Sequence, residues 1–365
     1  MKGKTICKTL GLVLLALLIL VVLYVVYVFA SYHRIGDQSL SVMHCSSRDA
    51  VPMEDAVETG AVYRVSSANA GFGAYSADYS FFMDGGKASR ARSKEAVYEN
   101  VGGAMSTVQE AAPDFVLLQE VDVDGTRSYH VDEYSILKDT IPSYNTVFAQ
   151  NYDSAFLFYP FTQPHGRSRS GLALFSKYPV TDSLRRSFPI STSFSKFFDL
   201  DRCYSISKVP VDNGKKLVIF LLHMSAYGNS DAIREAQIRM LSADMEKEYE
   251  AGNYVLCGGD FNHDLKASEK NAENCESWAY PFPREELPEH FSFCLDNLSD
   301  SEKDALWDSA RNADMEYVPG VTYTVTLDGF ITSDNIECTE YENVNTGYSY
   351  SDHDPVYMKF KLLDE

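Results

Sequence analysis

Short strand-like runs alternate with helix-like stretches along most of this 365-residue chain. The alternation predicts an α/β domain, because strands and helices that follow one another in turn pack as layers. Helices are predicted over residues 94–112 and 231–249, although Gly102 and Gly103 weaken the first. The strand-like runs are residues 61–68, 115–119, 171–175, 215–222, 254–257, 329–332 and 355–362.

Nearly every one of these runs has a polar cluster at one end. Polar groups at strand ends can converge in one crevice of an α/β sheet, so the clusters are expected to form a single site. Carboxylate and amide oxygens suit Mg²⁺, and two imidazoles can handle protons or stabilise charge. Each residue alone has an ordinary structural explanation, as a turn or cap residue, a solvated surface residue or a partner of backbone groups, and it is their recurrence that favours a site. The residues are Asn69, Glu120, His223, Asp260, Asn262, Asp328, Asp352 and His353.

An uninterrupted apolar run over residues 10–30 is long enough to cross a hydrocarbon core of about 30 Å. Lysines precede it and tyrosines crowd its far end, which predicts a single-pass anchor with a cytoplasmic N-terminus and an extracytoplasmic domain at the cell membrane. A cleaved signal peptide is the competing interpretation, with Val28 and Ala30 before Ser31 as the cleavage site. The lysines are Lys2, Lys4 and Lys8, and the tyrosines are Tyr24, Tyr27 and Tyr32.

The chain is therefore divided into an anchor over residues 1–30, a polar stalk over 31–58 and one domain over 59–365. Within that domain, residues 265–320 are rich in proline and charge and are predicted to leave the core, with a short helix near 302–310. The seven cysteines include no CxxC pair, so zinc spacing is absent. Cys275 and Cys294 flank a proline-rich loop and could be bridged by a disulfide if the domain is extracytoplasmic, which the sequence leaves open.

The formal net charge of -20 argues against nucleic acid as the partner, because an acidic protein repels phosphate polyanions at long range. A bound cation or a local basic patch can override this repulsion, so an extracellular nuclease remains a second interpretation. One notable basic stretch could read phosphates or could be an ordinary solvated surface. It contains Arg167, Arg169, Arg185, Arg186 and Lys196.

Several segments are similar to the signature segments of the endonuclease/exonuclease/phosphatase superfamily, and they occur in the order that the superfamily shows. The central ones are LQEV at 118–121, GDFN at 259–262 and SDHDP at 351–355. Asn69 resembles the early asparagine of the superfamily. Further matches are SGLALFSKYP at 170–179, LHM at 222–224 and LDGFI at 327–331. The resemblance covers residues 61–362, essentially the whole chain beyond the predicted stalk.

This resemblance implies a two-sheet α/β sandwich flanked by helices, the four-layer DNase I-like fold. It also implies hydrolysis of a phosphodiester or phosphomonoester by metal-assisted attack of water, with Mg²⁺, or alternatively Mn²⁺, as the cofactor. Glu120 corresponds to the principal metal ligand, with Asn69 and Asp352 nearby. Arg169 and Ser170 are expected to contact the substrate.

The resemblance also assigns roles in proton transfer and charge stabilisation. His353 would be the general base or contact the phosphate, oriented by Asp328. Asp260 and Asn262 would position the water and the phosphate, and His223 would stabilise charge on the phosphate. Whether Asp260 or His353 takes the proton from water remains open at this point.

Members of the superfamily cleave DNA, RNA, inositol phosphates, sphingomyelin and other phosphodiesters. The anchor and the acidic charge favour a lipid headgroup or another extracellular phosphoester as the substrate. Aromatic segments at residues 152–161 and 194–198 are compatible with a membrane interface and equally with core packing. A catalytically inactive, membrane-tethered binding module is the alternative from a different class, although the complete set of site residues argues against it.

Overall fold

A computed structural model describes residues 2–44, 55–197, 199–226, 231–267 and 279–364. Two mixed β-sheets of seven strands each form the centre of the domain, and a two-stranded ribbon lies beside them. The helices within the described residues are α1 (Lys2–Ser31), α2 (Lys94–Glu110), α3 (Glu133–Thr140), α4 (Asp231–Glu250) and α5 (Asp300–Ala305).

The first sheet has the strand order β1-β7-β8-β9-β10-β14-β11, with β9 and β10 parallel and the other neighbours antiparallel. Its strands are β1 (Gln38–Ser39), β7 (Asp182–Ser187), β8 (Cys203–Pro210), β9 (Lys216–His223), β10 (Tyr254–Asp260), β11 (Phe291–Phe293) and β14 (Asp328–Ser333).

The second sheet has the order β15-β16-β3-β4-β6-β5-β2, with β3 and β4 as its parallel pair. Its strands are β2 (Val42–Met43), β3 (Val62–Asn69), β4 (Phe115–Gly125), β5 (Asn145–Asp153), β6 (Ser168–Ser176), β15 (Ile336–Asn343) and β16 (Val356–Leu362). The ribbon pairs β12 (Ala310–Arg311) with β13 (Thr324–Val325).

Apolar side chains from both sheets meet in one core, which explains why the sheets stack face to face. Leu117 and Leu174 of the second sheet belong to the same buried cluster as Leu221 and Leu256 of the first. A separate cluster joins the outer face of the second sheet to α2 and α3, and α4 covers the first sheet through Leu241. The order helix, sheet, sheet, helix confirms the predicted four-layer sandwich.

All seven predicted strand-like runs form strands, although β4 continues six residues past its predicted end, to Gly125. Residues 265–320 are less separate from the core than predicted, because β11 pairs with β14 as an edge strand of the first sheet. The short helix in this region begins at Asp300, where Ser299 and Glu302 form a capping box.

Helix α1 is long and apolar enough to cross a membrane, with a mean hydropathy of 3.2 over its most apolar window. Part of the segment after α1 belongs to the sheets and does not form a free stalk, because β1 pairs with β7 and β2 pairs with β5. Backbone hydrogen bonds therefore attach part of the segment 31–58 to both sheets. The chain runs from the end of α1 directly into the sandwich, and the proposed domain boundaries remain predictions.

Cys294 is buried and has no disulfide partner among the described residues, and its Sγ lies 3.1 Å from Sδ of Met358. Burial raises its pKa well above the ordinary value, and a hydrogen bond with Cys338 contributes in the same direction. Cys275 lies outside the described residues, so the disulfide between Cys275 and Cys294 stays a prediction.

Candidate active site

The strand pairing brings the predicted site residues to one end of both sheets. In the parallel pair of the first sheet, His223 at the end of β9 lies opposite Asp260 at the end of β10. Asp328, at the start of the antiparallel strand β14, lies opposite Asp260 on its other side. In the second sheet, Asn69 at the end of β3 lies opposite Gln119, one residue before Glu120. The convergence predicted from the sequence is therefore produced by strand register.

A β-bulge in β4 directs Glu120 towards the site. The register of β4 with β6 shifts between Leu118 and Val121, and Glu120 has a φ of +53°. A left-handed conformation is rare for a residue with a Cβ and occurs where the surrounding structure enforces it, often at functional sites. The bulge allows the strand to continue while the Glu120 side chain points into the site.

Close backbone approach places Asp260 beside His223. Gly259 has a φ of +142°, and a Cβ at this position would lie 2.2 Å from the carbonyl oxygen of Leu222. A glycine is therefore required for β10 to stay paired with β9 up to Asp260. The glycine before Asp260 is a structural requirement of the site and not only a turn residue.

Four polar side chains form one contiguous cluster at this end of the sheets. The Nδ2 of Asn69 donates to Oε1 of Glu120 at 3.3 Å and to Oδ2 of Asp260 at 3.1 Å. The Nε2 of His223 lies 3.5 Å from the same Asp260 oxygen and 4.0 Å from Oε1 of Glu120. Asn262 binds back to this cluster, because its backbone N–H donates to Oδ1 of Asp260 at 2.9 Å.

His353 and the buried Asp328 form a hydrogen-bonded pair beside this cluster. The Nδ1 of His353 lies 2.7 Å from Oδ2 of Asp328, and its Nε2 lies 3.9 Å from Oδ2 of Asp260. Ser309 donates its hydroxyl to the same Asp328 oxygen at 2.7 Å and accepts the backbone N–H of Asp328 at 3.0 Å. Asp328 therefore has a fixed orientation, and it fixes the imidazole in turn.

Burial and charge shift the pKa values in this site in different directions. Burial raises the pKa of Asp260 to about 7, although His353 opposes the shift, and burial raises the pKa of Asp352 to about 6. Burial disfavours the charged form of His353, but the carboxylates of Asp328 and Asp260 outweigh it and raise the pKa well above its ordinary value. Burial lowers the pKa of His223. The two imidazoles are thus set for different protonation states.

Six of the site residues line one cleft of about 450 Å³: Glu120, His223, Asp260, Asn262, Asp352 and His353. Glu120, Asp260 and Asp352 all face it, together with an aromatic wall from the loop after β3 that includes Phe72, Tyr75 and Phe81. Clefts that combine apolar walls with a few converging polar groups are typical of small-molecule sites.

Residues 88–294, more than half of the chain, match the Endonuclease/Exonuclease/phosphatase family. The chain belongs to this family. A comparison with curated proteins gave no significant match. The chain resembles an endonuclease/exonuclease/phosphatase from Beutenbergia cavernae DSM 12333, with 15% identity, a TM-score of 0.58 and coverage of 83% of this chain and 72% of that chain.

Two further solved structures share the fold at similar identity. The D. rerio TDP2 complexed with single strand DNA product has 16% identity, a TM-score of 0.54 and coverage of 82% of this chain and 99% of that chain. The human Nocturnin catalytic domain with bound sulfate has 16% identity, a TM-score of 0.51 and coverage of 82% of this chain and 93% of that chain. The fold of this family implies metal-dependent phosphoester hydrolysis.

The donor set of this family member fits a divalent cation. Glu120 and Asp352 face the same cleft, and Glu120 contributes to the raised pKa of Asp352, as expected for carboxylates that share a small volume. Asp260, Asp328 and His353 also bring ligand atoms within 4.8 Å of one another. Asp328 is already bonded to His353 and Ser309, so the Glu120 side of the cleft offers the freer oxygens.

Two predicted substrate contacts of this family member lie elsewhere. Ser170 is fully buried in β6, where it pairs with Asp122 and Tyr152 in the sheet. Arg169 forms an ion pair with Asp124 at 3.1 Å. Neither residue is among those that line the cleft, although Tyr152, which lies opposite Ser170 in the sheet, is. Their role as substrate contacts stays a prediction.

Ser309 and Arg202 line or support this site and are absent from the sequence prediction. Arg202 is buried against the cleft, and its Nε and Nη1 have no hydrogen-bond partner among the described residues. Unsatisfied guanidinium donors in a cleft fit a phosphate group. The sequence does hold a signal that could have pointed to Arg202. This arginine directly precedes β8, so recognising β8 as a strand would have placed Arg202 at a strand end.

The loop that carries Asp352 and His353 rests on α2. The hydroxyl of Ser351 donates to the carbonyl oxygen of Asn69 at 2.8 Å, which joins this loop to the end of β3. A Cβ at Gly103 of α2 would lie 2.2 Å from the ring of Tyr350, whereas a Cβ at Gly102 would meet open space. Of the two glycines that weaken the predicted helix, Gly103 is thus the one against which the active-site loop packs.

We expect Gly103→Ala to lower turnover by roughly tenfold or more, because Tyr350 must move and shift the neighbouring His353. Gly102→Ala is the matched control and is expected to raise the unfolding temperature without loss of turnover, since alanine favours the helix. Steady-state kinetics and thermal unfolding of the two variants test this. Equal turnover in both variants would contradict the packing role of Gly103.

Proposed function

We propose that the protein is a Mg²⁺-dependent phosphoesterase that hydrolyses a phosphodiester or phosphomonoester outside the cytoplasm. The observation that carries the proposal is the hydrogen-bonded cluster of Asn69, Glu120 and Asp260 beside the Asp328–His353 pair, with Glu120, Asp260 and His353 lining one cleft. Clustered carboxylates beside two imidazoles with opposite pKa shifts are typical of hydrolytic sites.

Glu120, Asn69 and Asp352 would hold the cation, with Mn²⁺ as an alternative to Mg²⁺. When bound, the ion supplies Lewis-acid stabilisation of the charge on the phosphoryl oxygens. Asn69 is well placed for this task because it already bonds both Glu120 and Asp260 and so fixes their carboxylates.

The remaining residues would act on the water and on the phosphate. Asp260 is proposed as the general base that accepts a proton from water at Oδ2, because its raised pKa suits proton uptake near neutrality. His353 is held in the protonated form by Asp328 and would donate from Nε2 to a phosphoryl oxygen. Asn262 positions Asp260 and His223 stabilises the developing charge.

The pairing of the predicted basic stretch favours a small or lipid-borne phosphoester over nucleic acid. The basic stretch predicted for a nuclease is largely neutralised, because its arginines pair with carboxylates. Arg185 is fully buried as well. The ion pairs are Arg167–Asp153, Arg169–Asp124, Arg185–Asp201 and Arg186–Asp244.

A panel of phosphoesters tests the function. The full-length chain in detergent would be given sphingomyelin, phosphoinositides, inositol phosphates, DNA, RNA, nucleotides and a chromogenic phosphodiester, each with Mg²⁺ or with EDTA. We expect Mg²⁺-dependent turnover of a phosphodiester that EDTA and His353→Ala both abolish. Turnover of DNA that falls steeply with salt would support a nuclease instead, and a folded protein without turnover would support the binding module.

Arg202 is expected to bind the phosphate of the substrate. We expect Arg202→Gln to raise KM by roughly tenfold or more, because a buried charge-assisted contact is lost while the proton-transfer residues stay in place. Arg239→Gln is the control, since Arg239 is half exposed on α4 and pairs only with Glu235 among the described residues. An unchanged KM in Arg202→Gln would contradict this role.

A further inference from the structure

The end of α1 packs against two loops of the domain, residues 154–161 and 191–197, which we call the anchor-side loops. Val28 of α1 is buried in a small cluster with Ala155 and Phe197. The ring of Tyr24 lies edge-on to Phe158 with centroids 5.1 Å apart, and the rings of Phe29 and Phe197 are 4.5 Å apart. The last two turns of the helix are thus part of the domain surface.

Hydrogen bonds from α1 satisfy the backbone of the first anchor-side loop. The hydroxyl of Tyr24 donates to the carbonyl oxygen of Phe156 at 3.0 Å, and the N–H of Phe156 donates to the hydroxyl of Tyr27 at 3.0 Å. Leu157 and Gly166 exchange two further backbone bonds at 3.0 Å. Such pairing is what a loop needs in a medium without water, because each unsatisfied backbone group there costs several kcal/mol.

The outer sides of these loops carry exposed aromatic rings next to the apolar helix. Phe158 is 50% exposed, Tyr159 63%, Phe161 84% and Phe194 56%. Large exposed apolar residues in one contiguous region mark an interaction surface. Aromatic residues are enriched at the membrane–water interface, near the ends of membrane-crossing helices.

The position of α1 sets the depth of this surface. Tyr24, which contacts the first loop, is seven residues before Ser31 at the end of the helix. At a rise of about 1.5 Å per residue this places the contact roughly 10 Å inside the end of the span. That depth is at the upper end of the range of about 5–10 Å to which interfacial apolar groups enter the headgroup and acyl boundary.

We infer that the anchor-side loops and the last turns of α1 form one surface embedded in the outer leaflet of the bilayer, and that the cleft opens at this surface to take a phospholipid headgroup. The inference rests on the proposed phosphoesterase activity and on α1 crossing the membrane. Its partner is the lipid bilayer, because the surface is continuous with a helix of membrane-spanning length and composition.

The cleft is joined to the embedded surface by short stretches of chain. Tyr152, at the end of β5, lines the cleft and is followed within two residues by the first anchor-side loop. Asp199 and Arg202 also line the cleft and follow the second loop. Arg34, just beyond α1, pairs with Asp201 at 2.9 Å, beside Arg202. The lining of the cleft is therefore connected directly, along the chain and through the Arg34–Asp201 ion pair, to the proposed embedded surface.

The same contacts bear on the choice between an anchor and a signal peptide. Cleavage before Ser31 would remove Tyr24, Tyr27 and Val28, so that the backbone of Phe156 and the apolar surface at Ala155 and Phe197 would lose their partners. A retained helix is the form that this domain surface fits.

Fluorescence quenching of the full-length chain in phosphatidylcholine proteoliposomes tests the embedding without reference to activity. We expect Phe161→Trp and Phe194→Trp to show blue-shifted emission that is lost when brominated phosphatidylcholine is included. Tyr98→Trp is the control, because Tyr98 is 48% exposed on α2, outside these loops. The emission of the parent protein is subtracted as background. The embedding would be overturned if the emission of Phe161→Trp and Phe194→Trp were as resistant to quenching as the emission of Tyr98→Trp.

Turnover measurements test the consequence for substrate choice. We expect the double variant Phe158→Ser/Phe161→Ser to lose roughly tenfold or more of its turnover on bilayer phospholipid while it keeps turnover of a soluble chromogenic phosphodiester. Tyr98→Ser is expected to change neither. Equal loss on both substrates, or no loss on lipid, would overturn the inference. Absent turnover on both substrates in the parent protein, with quenching intact, would overturn the phosphoesterase proposal and leave the embedding standing.

Discussion

Glu120→Gln is expected to lower kcat/KM by about 10³-fold at low millimolar Mg²⁺, because it removes the negative charge that the cation needs and keeps the shape of the side chain. The amide oxygen of glutamine can still accept from Nδ2 of Asn69, which donates to Oε1 of Glu120 at 3.3 Å. The local hydrogen bond therefore survives, and the loss reports on the charge. Steady-state kinetics across a Mg²⁺ titration measures the effect.

A metal-binding role makes a second demand on the same variant. Calorimetric titration of Mg²⁺ should show weaker binding to Glu120→Gln than to the parent protein, and high Mg²⁺ should restore part of the activity. Glu110→Gln, at the exposed end of α2, is the control and should match the parent protein in both assays. Full activity of Glu120→Gln at low Mg²⁺ would remove Glu120 from the metal site.

The position of Glu120 shows what the sequence could and could not predict. An apolar run at 115–118, followed by Gln119, predicts a buried strand that ends before Glu120, and the structure has the strand continue through it to Gly125. The bulge that turns Glu120 inward depends on the register with β6, a partner more than forty residues away. No local pattern in the sequence encodes that register.

Strands that were missed share a physical feature. Buried strands such as β9 and β10 are continuous apolar runs, and these are the ones that the sequence reveals. In contrast, β15 at the sheet edge has several exposed positions, and β7 and β8 mix serine and charged residues with their apolar ones. Such strands take their partners from tertiary context, because their own composition is neutral between strand and loop.

Site residues divide in the same way. The residues at the ends of recognised strands could be proposed from the sequence and from the resemblance to a known family. Ser309 could not, because it lies in a proline-rich and charged region and acts through a contact with Asp328, nineteen positions away. Arg202 could not, because its unpaired donors become visible only when the cleft around them is known.

Asp328→Asn is expected to lower kcat by about 10²–10⁴-fold with little change in KM, because Asp328 orients His353 and stabilises its charged form without touching the substrate. The carboxylate oxygen that binds Nδ1 of His353 at 2.7 Å is also the acceptor for Ser309. Ser309→Ala should therefore give a smaller loss in the same direction, roughly 10–100-fold, as expected for a group one contact further out. Asp304→Asn, on the exposed side of α5, is the control.

Loss of a buried charge can also destabilise the fold, so the decisive measurement is a double-mutant comparison. If Asp328 acts only through His353, then Asp328→Asn combined with His353→Gln should be no slower than His353→Gln alone, because the imidazole that Asp328 serves is already gone. Additive losses in the double variant would mean that Asp328 has a separate task, such as binding the cation together with Asp260. The transition temperature of every variant is measured by thermal unfolding, and the kinetic assays are run below it. A loss of activity then reports on the active site and not on loss of structure.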